Sequence, residues 1–508
     1  MQLPTILDDA ARLHGDRTAL VISRGGAAAT FHAVHRRVRQ AAAALRRQGY
    51  GAGERIALLL PNGEAFPIVY FAVLRLGAIV VPINPLLKAM EIRHIVSDAE
   101  CAALVSSPAK LPEAAAGCRE VPGLRQLFLY GEEEPPGVNL LALADAETPD
   151  AAPAPGTEDD TAVIMYTSGT TGRPKGAMLS HRNLLSNARS GAALFGFGAD
   201  DRVLTALPLT HIYGQTCTLN APWLAGACVV LHDRFDAAEV LESIQRRRVT
   251  AFLGVPTMFW HLRNALTSGP QAGAVDLRSI RLLNSGGATL PVEVLHAVNA
   301  LFGVSMLEGY GLSETSPIVL SNTVTGVKKP GSVGVPIPAV EARVVNDRDE
   351  PLPPREVGEI VVRGPNVMQG YFRNPAATAE VMRGGWFHSG DLAYVDEDGY
   401  FFIVGRKKEI INRGGYNVYP REVEEVLYSH AKVREAAVVG VPHVARGEEV
   451  KAFVALHDGC SATAEEIIAY CRERIASYKC PSIVEFLDAL PKGTTGKILK
   501  RALTDHAD

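Results

Sequence analysis

Short apolar runs alternate with helix-patterned segments through much of this chain, and that alternation restricts the fold more than any other feature. "TALVI" (18–22) reads as a strand. Thr30 follows as a helix cap, and Phe31, Val34, Val38, Ala41 and Leu45 step by three and four along one apolar face. Gly49 stands where a helix end takes a left-handed residue. "RIALLLP" then reads as a strand, "EAFPIVYFAVLRLG" as a helix and "AIVVPI" as a strand, and "TAVIMYT", "GACVVLH" and "RLLNSGG" continue the pattern. Strands this apolar are buried on both faces, which predicts an α/β fold with parallel-rich sheets flanked by helices. Residues 108–160, rich in Ala, Pro and Glu, read as surface loops.

From about Gly331 the pattern turns β-rich, through "EARVVND", "GEIVVRG" and "LAYVDEDGYFFIVG", with Asp398-Gly399 as a hairpin turn. After "VGRKKEI" the chain starts afresh. Pro420 opens a helix with Val423, Val426 and Leu427 on one face, "EAAVVGV" and "KAFVAL" are strands, and Thr463 with Glu466 fits a capping box. The expected architecture is a large domain over 1–405 with a β-rich subdomain, a hinge at 406–408, and a small mobile α+β domain over 409–508.

Size and composition agree with this division. A chain of 508 residues is too long for one ordinary core. Hydrophobic residues at 47% and charged residues at 21% are usual for a soluble globular protein, and a net charge of −4 gives no reason to expect a nucleic-acid partner. No run reaches the ~18 apolar residues of a membrane span. The start, "MQLPTILDDAARLHG", lacks a basic region and a long apolar run, so no signal peptide is expected. Seven scattered cysteines without metal spacing suggest reduced thiols and a cytoplasmic enzyme.

Six short segments carry chemistry. "TSGTTGRPKG" (167–176) packs hydroxyls, glycines and a lysine behind an apolar strand, a good cradle for polyphosphate. It is not the common phosphate loop, because Arg173 and Pro174 separate Gly172 from Lys175. "SGGA" (285–288) lets a thin or flat group approach the backbone, or is merely a tight turn. "EGYGLSET" (308–315) offers an aromatic face in Tyr310, a hard oxygen ligand in Glu314 and a hydroxyl in Thr315. "HSGD" ends in Asp391, whose carboxylate suits the two hydroxyls of a ribose or, more plainly, a turn. "GRKKEIINRGGYN" and "PKGTTGKILKR" hold cations, including Arg406, Lys408 and Lys497, that would ordinarily be solvated faces or a basic tail.

In this order along nearly the whole chain, the segments resemble those of the AMP-forming acyl- and aryl-CoA synthetases, the adenylate-forming superfamily that includes firefly luciferases and peptide-synthetase adenylation domains. The resemblance implies a two-step reaction. A carboxylate attacks the α-phosphate of ATP, giving acyl-AMP and pyrophosphate, and a thiol then displaces AMP. It implies that Thr167, Ser168, Gly169, Thr170, Thr171, Gly172 and Lys175 hold the departing phosphates, and that Glu314 with Thr170 binds Mg²⁺. Thr315 contacts the α-phosphate, and Gly286, Gly287, Ala288, Glu308, Gly309, Tyr310, Gly311 and Ile403 border the nucleotide. Asp391 and Arg406 hold the ribose. Lys497 bridges phosphate and carboxylate in the first step only. The hinge falls on Lys408, and its rotation brings Arg413, Gly414, Gly415 and Tyr416 toward the site for CoA, with Lys479 as a further phosphate contact.

For the acid, the resemblance places His211 beside the carboxylate and assigns the pocket walls to His211, Ile212, Tyr213, Val255, Thr257, Ser285, Gly287, Gly311 and Val335. No Asp lies between Leu207 and Thr216, which disfavours an α-amino acid, and no Arg or Lys lies among the walls, which disfavours a dicarboxylate. "HIYGQT" and the C-terminal half look most like bacterial fatty-acyl-CoA ligases, so a medium- or long-chain fatty acid is the expected substrate. An aromatic acid is the first alternative, since an apolar slot accepts a ring as readily as a chain. A loader of acyl carrier protein is the second, although the insertion typical of such relatives is not evident between Gly331 and Arg406. An inert adenylate-binding module is disfavoured by the retained Glu314, Asp391, Arg406 and Lys497, and nothing calls for a luciferase-like oxygenase. Oligomeric state is open, a homodimer included.

Overall fold

A computed structural model describes residues 1–131, 137–149, 152–167, 174–268, 273, 275–444, 446–493 and 498–504. Among them the strands form four sheets of nine, eight, five and five strands. In the nine-stranded sheet, Leu307–Gly311, Leu282–Ser285, Ala251–Gly254, Arg202–Thr205, Cys228–Leu231 and Thr18–Ile22 run parallel in that order. Ile318–Ser321 and Val335–Pro336 extend it antiparallel at one edge, and Ala28–Thr30 at the other. The eight-stranded sheet repeats the scheme. Its parallel run from Thr161–Thr167 to Val138–Asn139 is continued antiparallel by Lys175–Ser180 and Gly370–Tyr371. The sheets are therefore mixed, with the antiparallel joints falling next to "TSGTTGRPKG" and "EGYGLSET".

Helix Ala65–Arg75 illustrates the core. Every residue after Ala65 is buried, so the helix is apolar on all faces up to its terminal Arg75, as an interior helix must be. Its terminal Arg75 stays charged inside by pairing with Asp8 at 2.7 Å, and His35 meets the same carboxylate oxygen at 2.7 Å. Helix Phe31–Arg47 begins as its sequence predicts, with the Thr30 hydroxyl accepting the Ala33 N–H at 3.2 Å.

Two expectations need correction. Residues 108–160 are more than loops: helix Leu111–Cys118, strand Gln126–Leu129 and helix Leu140–Asp145 lie there, and the strand pairs in parallel with Cys101–Ser106. Their short lengths and Ala-rich faces hid the periodicity. The capping box at Thr463 is half made: Thr463 accepts the Glu466 N–H at 3.2 Å, while the Glu466 carboxylate turns to Lys432 at 2.7 Å.

The third sheet, antiparallel, is built from residues between Glu341 and Arg406. The fourth lies entirely within Ile411–Phe486, packs helices Pro420–Tyr428 and Ala464–Arg472 on its own cluster of buried residues, and forms the smaller C-terminal domain. No helix among the described residues is long and apolar enough to cross a membrane.

Candidate active site

The antiparallel joints and the third sheet bring the sequence-predicted segments together. Strand Trp386–Val395 places Asp391 directly across from Arg406 on strand Phe401–Arg406. Asp391 is thus a strand residue rather than a turn residue. Arg406 Nε lies 2.9 Å from Asp391 Oδ1, and the Tyr310 hydroxyl donates to Oδ2 at 2.7 Å. Burial, and then the Asp391 charge, holds the Tyr310 phenol well above its ordinary value, so it remains a neutral donor. Asp391 is buried and doubly held, with a second lone pair left on each oxygen.

The ends of the "TSGTTGRPKG" loop are also fixed. Thr167 and Lys175 face each other across the antiparallel pair Thr161–Thr167 and Lys175–Ser180. The loop therefore joins strand to strand, which is why its lysine does not open a helix. Ser168, Gly169, Thr170, Thr171, Gly172 and Lys497 lie outside the described residues. Glu314 reaches this place from the neighbouring joint: its Oε1 accepts from the Tyr371 hydroxyl at 3.0 Å and the Thr167 hydroxyl at 3.4 Å. Lys175 Nζ sits 5.4 Å from the centre of the Tyr371 ring. Sequence reasoning missed Tyr371, which follows a bare "QG" and pairs with Ala177 of the loop strand. Among the described residues no group of three or more His, Cys, Asp or Glu side chains stands ready for a metal. One oriented carboxylate next to the segment expected to hold phosphate nevertheless fits Mg²⁺, which takes few protein ligands and fills its shell with phosphate oxygens and water.

Thr315 departs from its expected place. It is fully buried, its Oγ1 donates to the Pro317 carbonyl at 2.7 Å and accepts the Leu312 N–H at 3.0 Å, and nothing is left for a phosphate. Ser313, in the same turn, is half-buried where Thr315 is fully buried. Gly311 explains the tightness of this joint, since a Cβ there would fall 2.0 Å from the Pro317 carbonyl oxygen. Glu308 is buried at the other end of the strand; burial pushes its carboxyl up to about 7, against the pull of Arg421 and the Gly331 N–H.

The residues expected to wall the acid converge in part. The Tyr213 ring comes within 3.4 Å of where a side chain on Gly286 would begin, and Val255 within 3.5 Å of the same point on Gly287. The Tyr213 hydroxyl donates to Asn284 Oδ1 at 2.6 Å. Thr257 lies in the first turn of Pro256–Thr267, and Ser285 ends its strand. Ile212 is wholly buried in the main core, and Val335 pairs with Ser321 one strand beyond Gly309. His211 caps its helix, Nδ1 accepting the Tyr213 N–H at 3.2 Å.

In the C-terminal part, Lys408 occupies the short helical turn Lys407–Glu409. Gly414 and Gly415 both have positive φ and turn the hairpin between Ile411–Arg413 and Tyr416–Val418. Tyr416 is exposed and stacks on Tyr478 at 4.8 Å. Arg413 and Lys479 are committed elsewhere: Arg413 pairs with buried Glu449 and donates to the carbonyls of Tyr478 and Cys480, and Lys479 pairs with Glu422.

Comparison with known proteins follows these segments. The family described as "AMP-binding enzyme" matches residues 7–372, and "AMP-binding enzyme C-terminal domain" matches 422–497. A long-chain-fatty-acid–CoA ligase of Bacillus subtilis (strain 168) is 39% identical, covering 99% of this chain and 94% of its own. A feruloyl-CoA synthase of Amycolatopsis sp is 41% identical over 95% and 94%. Among solved structures, an anthranilate CoA ligase in complex with anthranoyl-AMP overlays with TM-score 0.93 at 30% identity, covering 100% of this chain and 97% of that one. ATP-bound MatB from Rhodopseudomonas palustris overlays with TM-score 0.91 at 32% identity, over 100% and 99%. With a family match over most of its length and relatives alike from end to end, the chain belongs to the AMP-binding enzymes, as an ATP-using, AMP-forming acid–CoA ligase.

Proposed function

We propose that the enzyme activates a medium- or long-chain fatty acid to acyl-AMP at the joint between its two large sheets and then passes the acyl group to CoA. The observation that carries this reading is the convergence of Asp391, Arg406 and Tyr310 on one side with Thr167, Glu314 and Tyr371 on the other. Carboxylate and triphosphate are both anions, so the barrier to their reaction is largely electrostatic, and positioning with charge neutralisation lowers it. Asp391 accepts the ribose hydroxyls while Arg406 and Tyr310 fix its orientation. Thr167 and Lys175 present donors and charge to the departing phosphates. Ser313, rather than Thr315, offers its hydroxyl toward the α-phosphate. Tyr371 and Thr167 orient the Glu314 carboxylate toward Mg²⁺, which when bound would supply positive charge to the phosphate oxygens. Lys497 acts in the first step, before the small domain, beginning near 406–408, turns about Lys408.

The fatty-acid preference rests on walls without a cationic side chain and on the fatty-acid ligase among the relatives. An aryl acid is the second reading, favoured by the feruloyl-CoA relative and by the flat approach over Gly286 beside the Tyr213 ring. The test is thioester formation with ATP, Mg²⁺ and CoA over acids from acetate to palmitate, with benzoate, cinnamate, ferulate and malonate, read by mass spectrometry. Products from the longer chains are expected. Products from aromatic acids alone would replace the fatty-acid reading with the aryl one, and pyrophosphate release without any CoA thioester would point to a carrier-protein acceptor.

A further inference from the structure

Among the described residues, two contacts between the small domain and the large one stand apart from each other. At the first, Arg421 of helix Pro420–Tyr428 donates through Nη1 to the carbonyl of Ile403, three residues before Arg406 on the strand that carries the ribose-side pair. The same side chain, 13% exposed, lies 3.6 Å from Glu425, and its charge is felt by the buried carboxyl of Glu308, the first residue of the "EGYG" segment. Glu425 in turn is half-buried, and its carboxylate meets the backbone N–H of Val292 in the large domain. At the second place, His457 stacks on Trp260 of helix Pro256–Thr267, with ring centres 6.2 Å apart and planes 21° off parallel. The Arg421 contact cannot persist through a rotation about 406–408, because its partners belong to the stationary body and its own helix to the moving one.

We propose that Arg421 is a positioning residue for the first half-reaction: bound to the Ile403 carbonyl, it clamps the small domain against the nucleotide end of the large one and must release before thioester formation. The proposal rests on the two-step reading above. Arg421 touches neither acid nor phosphate. It acts by favouring the arrangement in which acyl-AMP is made, and losing it biases the domain pair toward other arrangements. The His457–Trp260 stack is the outer half of the same clamp.

The half-reactions are measured separately on the full-length enzyme: pyrophosphate release with acid and ATP, and thioester formation from supplied acyl-AMP and CoA. Arg421→Ala is expected to slow the first about tenfold while leaving the second unchanged or faster, with the first partly restored in Arg421→Lys. Trp260 emission, isolated by subtracting a Trp260→Phe control, should shift in Arg421→Ala toward the value seen with acyl-AMP and CoA bound. Equal loss in both half-reactions, or no loss in either, overturns the proposal. Should Arg421→Ala lower the Tm, His457→Ala carries the test, with the same bias in smaller degree expected and an unbiased variant counting against the clamp. Failure of the two-step reading would look different: wild-type enzyme would then release no pyrophosphate before CoA is added, whatever Arg421 does.

Discussion

Thr315 and Ser313 lie two residues apart, and their surroundings give them different work. The Thr315 hydroxyl holds the Leu312 N–H and the Pro317 carbonyl in a buried turn, so Thr315→Val should cost about 1–3 kcal/mol of stability, seen as a lowered Tm. Ser313→Ala should instead leave Tm unchanged and lower the rate of pyrophosphate release about tenfold or more. A reversed pattern would return the phosphate contact to Thr315. A second residue sets the response to acid. His181 is 1% exposed, and its Nδ1 accepts the Leu3 N–H at 3.1 Å. Burial pushes its ring down to about 4, against the opposing pull of Asp160. The unfolded chain therefore binds this proton more readily, and stability from this group is full above pH 6.5 and falls as pH drops toward 4, by roughly 3 kcal/mol in all. Thermal unfolding from pH 7 to 4 should show the loss, and His181→Gln, which keeps an acceptor but cannot titrate, should flatten it.

At the scale of elements, the hairpin turned by Gly414 and Gly415 owes its anchorage to Arg413. That guanidinium and the Glu449 carboxylate are both nearly buried, at 10% and 5% exposure. Removing one partner strands the other, so Arg413→Ala should destabilise the small domain by about 3–5 kcal/mol. Chemical denaturation that shows no such loss, with CoA binding weakened instead, would restore the expected CoA role. Sequence alone made the elements legible where the period was strong. The apolar strands, the Thr30 cap and the Asp398-Gly399 turn all stand where they were read, Gly399 with a φ of 83°. The region 108–160 was not legible, because short Ala-rich helices carry little amphipathic contrast. The site was legible as a set of segments but not as a set of partners. Nothing near Tyr371 in sequence announces a bond to Glu314, and the sequence reading names Thr315 alone and passes over Ser313. Which of two neighbouring hydroxyls in one turn is tied down depends on which carbonyls the turn brings inward, and that is fixed only by packing.

For the whole molecule, the two-step reading makes a prediction that no single contact makes. Lys497→Ala should impair pyrophosphate release far more than thioester formation from supplied acyl-AMP, and Lys408→Pro, which fixes φ, should do the opposite. Equal loss in both steps for Lys497→Ala would remove the assignment of one lysine to one step. Normal thioester formation by Lys408→Pro would move the pivot elsewhere.

The two large sheets both change from parallel to antiparallel, and the consequence reaches beyond geometry. The grips proposed for the phosphates sit at those joints, where Thr161–Thr167 and Leu307–Gly311 end, while the ribose pair stands on the third sheet. Much of the wall proposed for the acid comes from the interior of the parallel run, at the ends of Ala251–Gly254 and Leu282–Ser285 and the helix after His211. Activation and choice of acid are thus written into different stretches of one chain. Such a scaffold can exchange one client for another by redrawing a few wall residues, keeping its engine intact throughout.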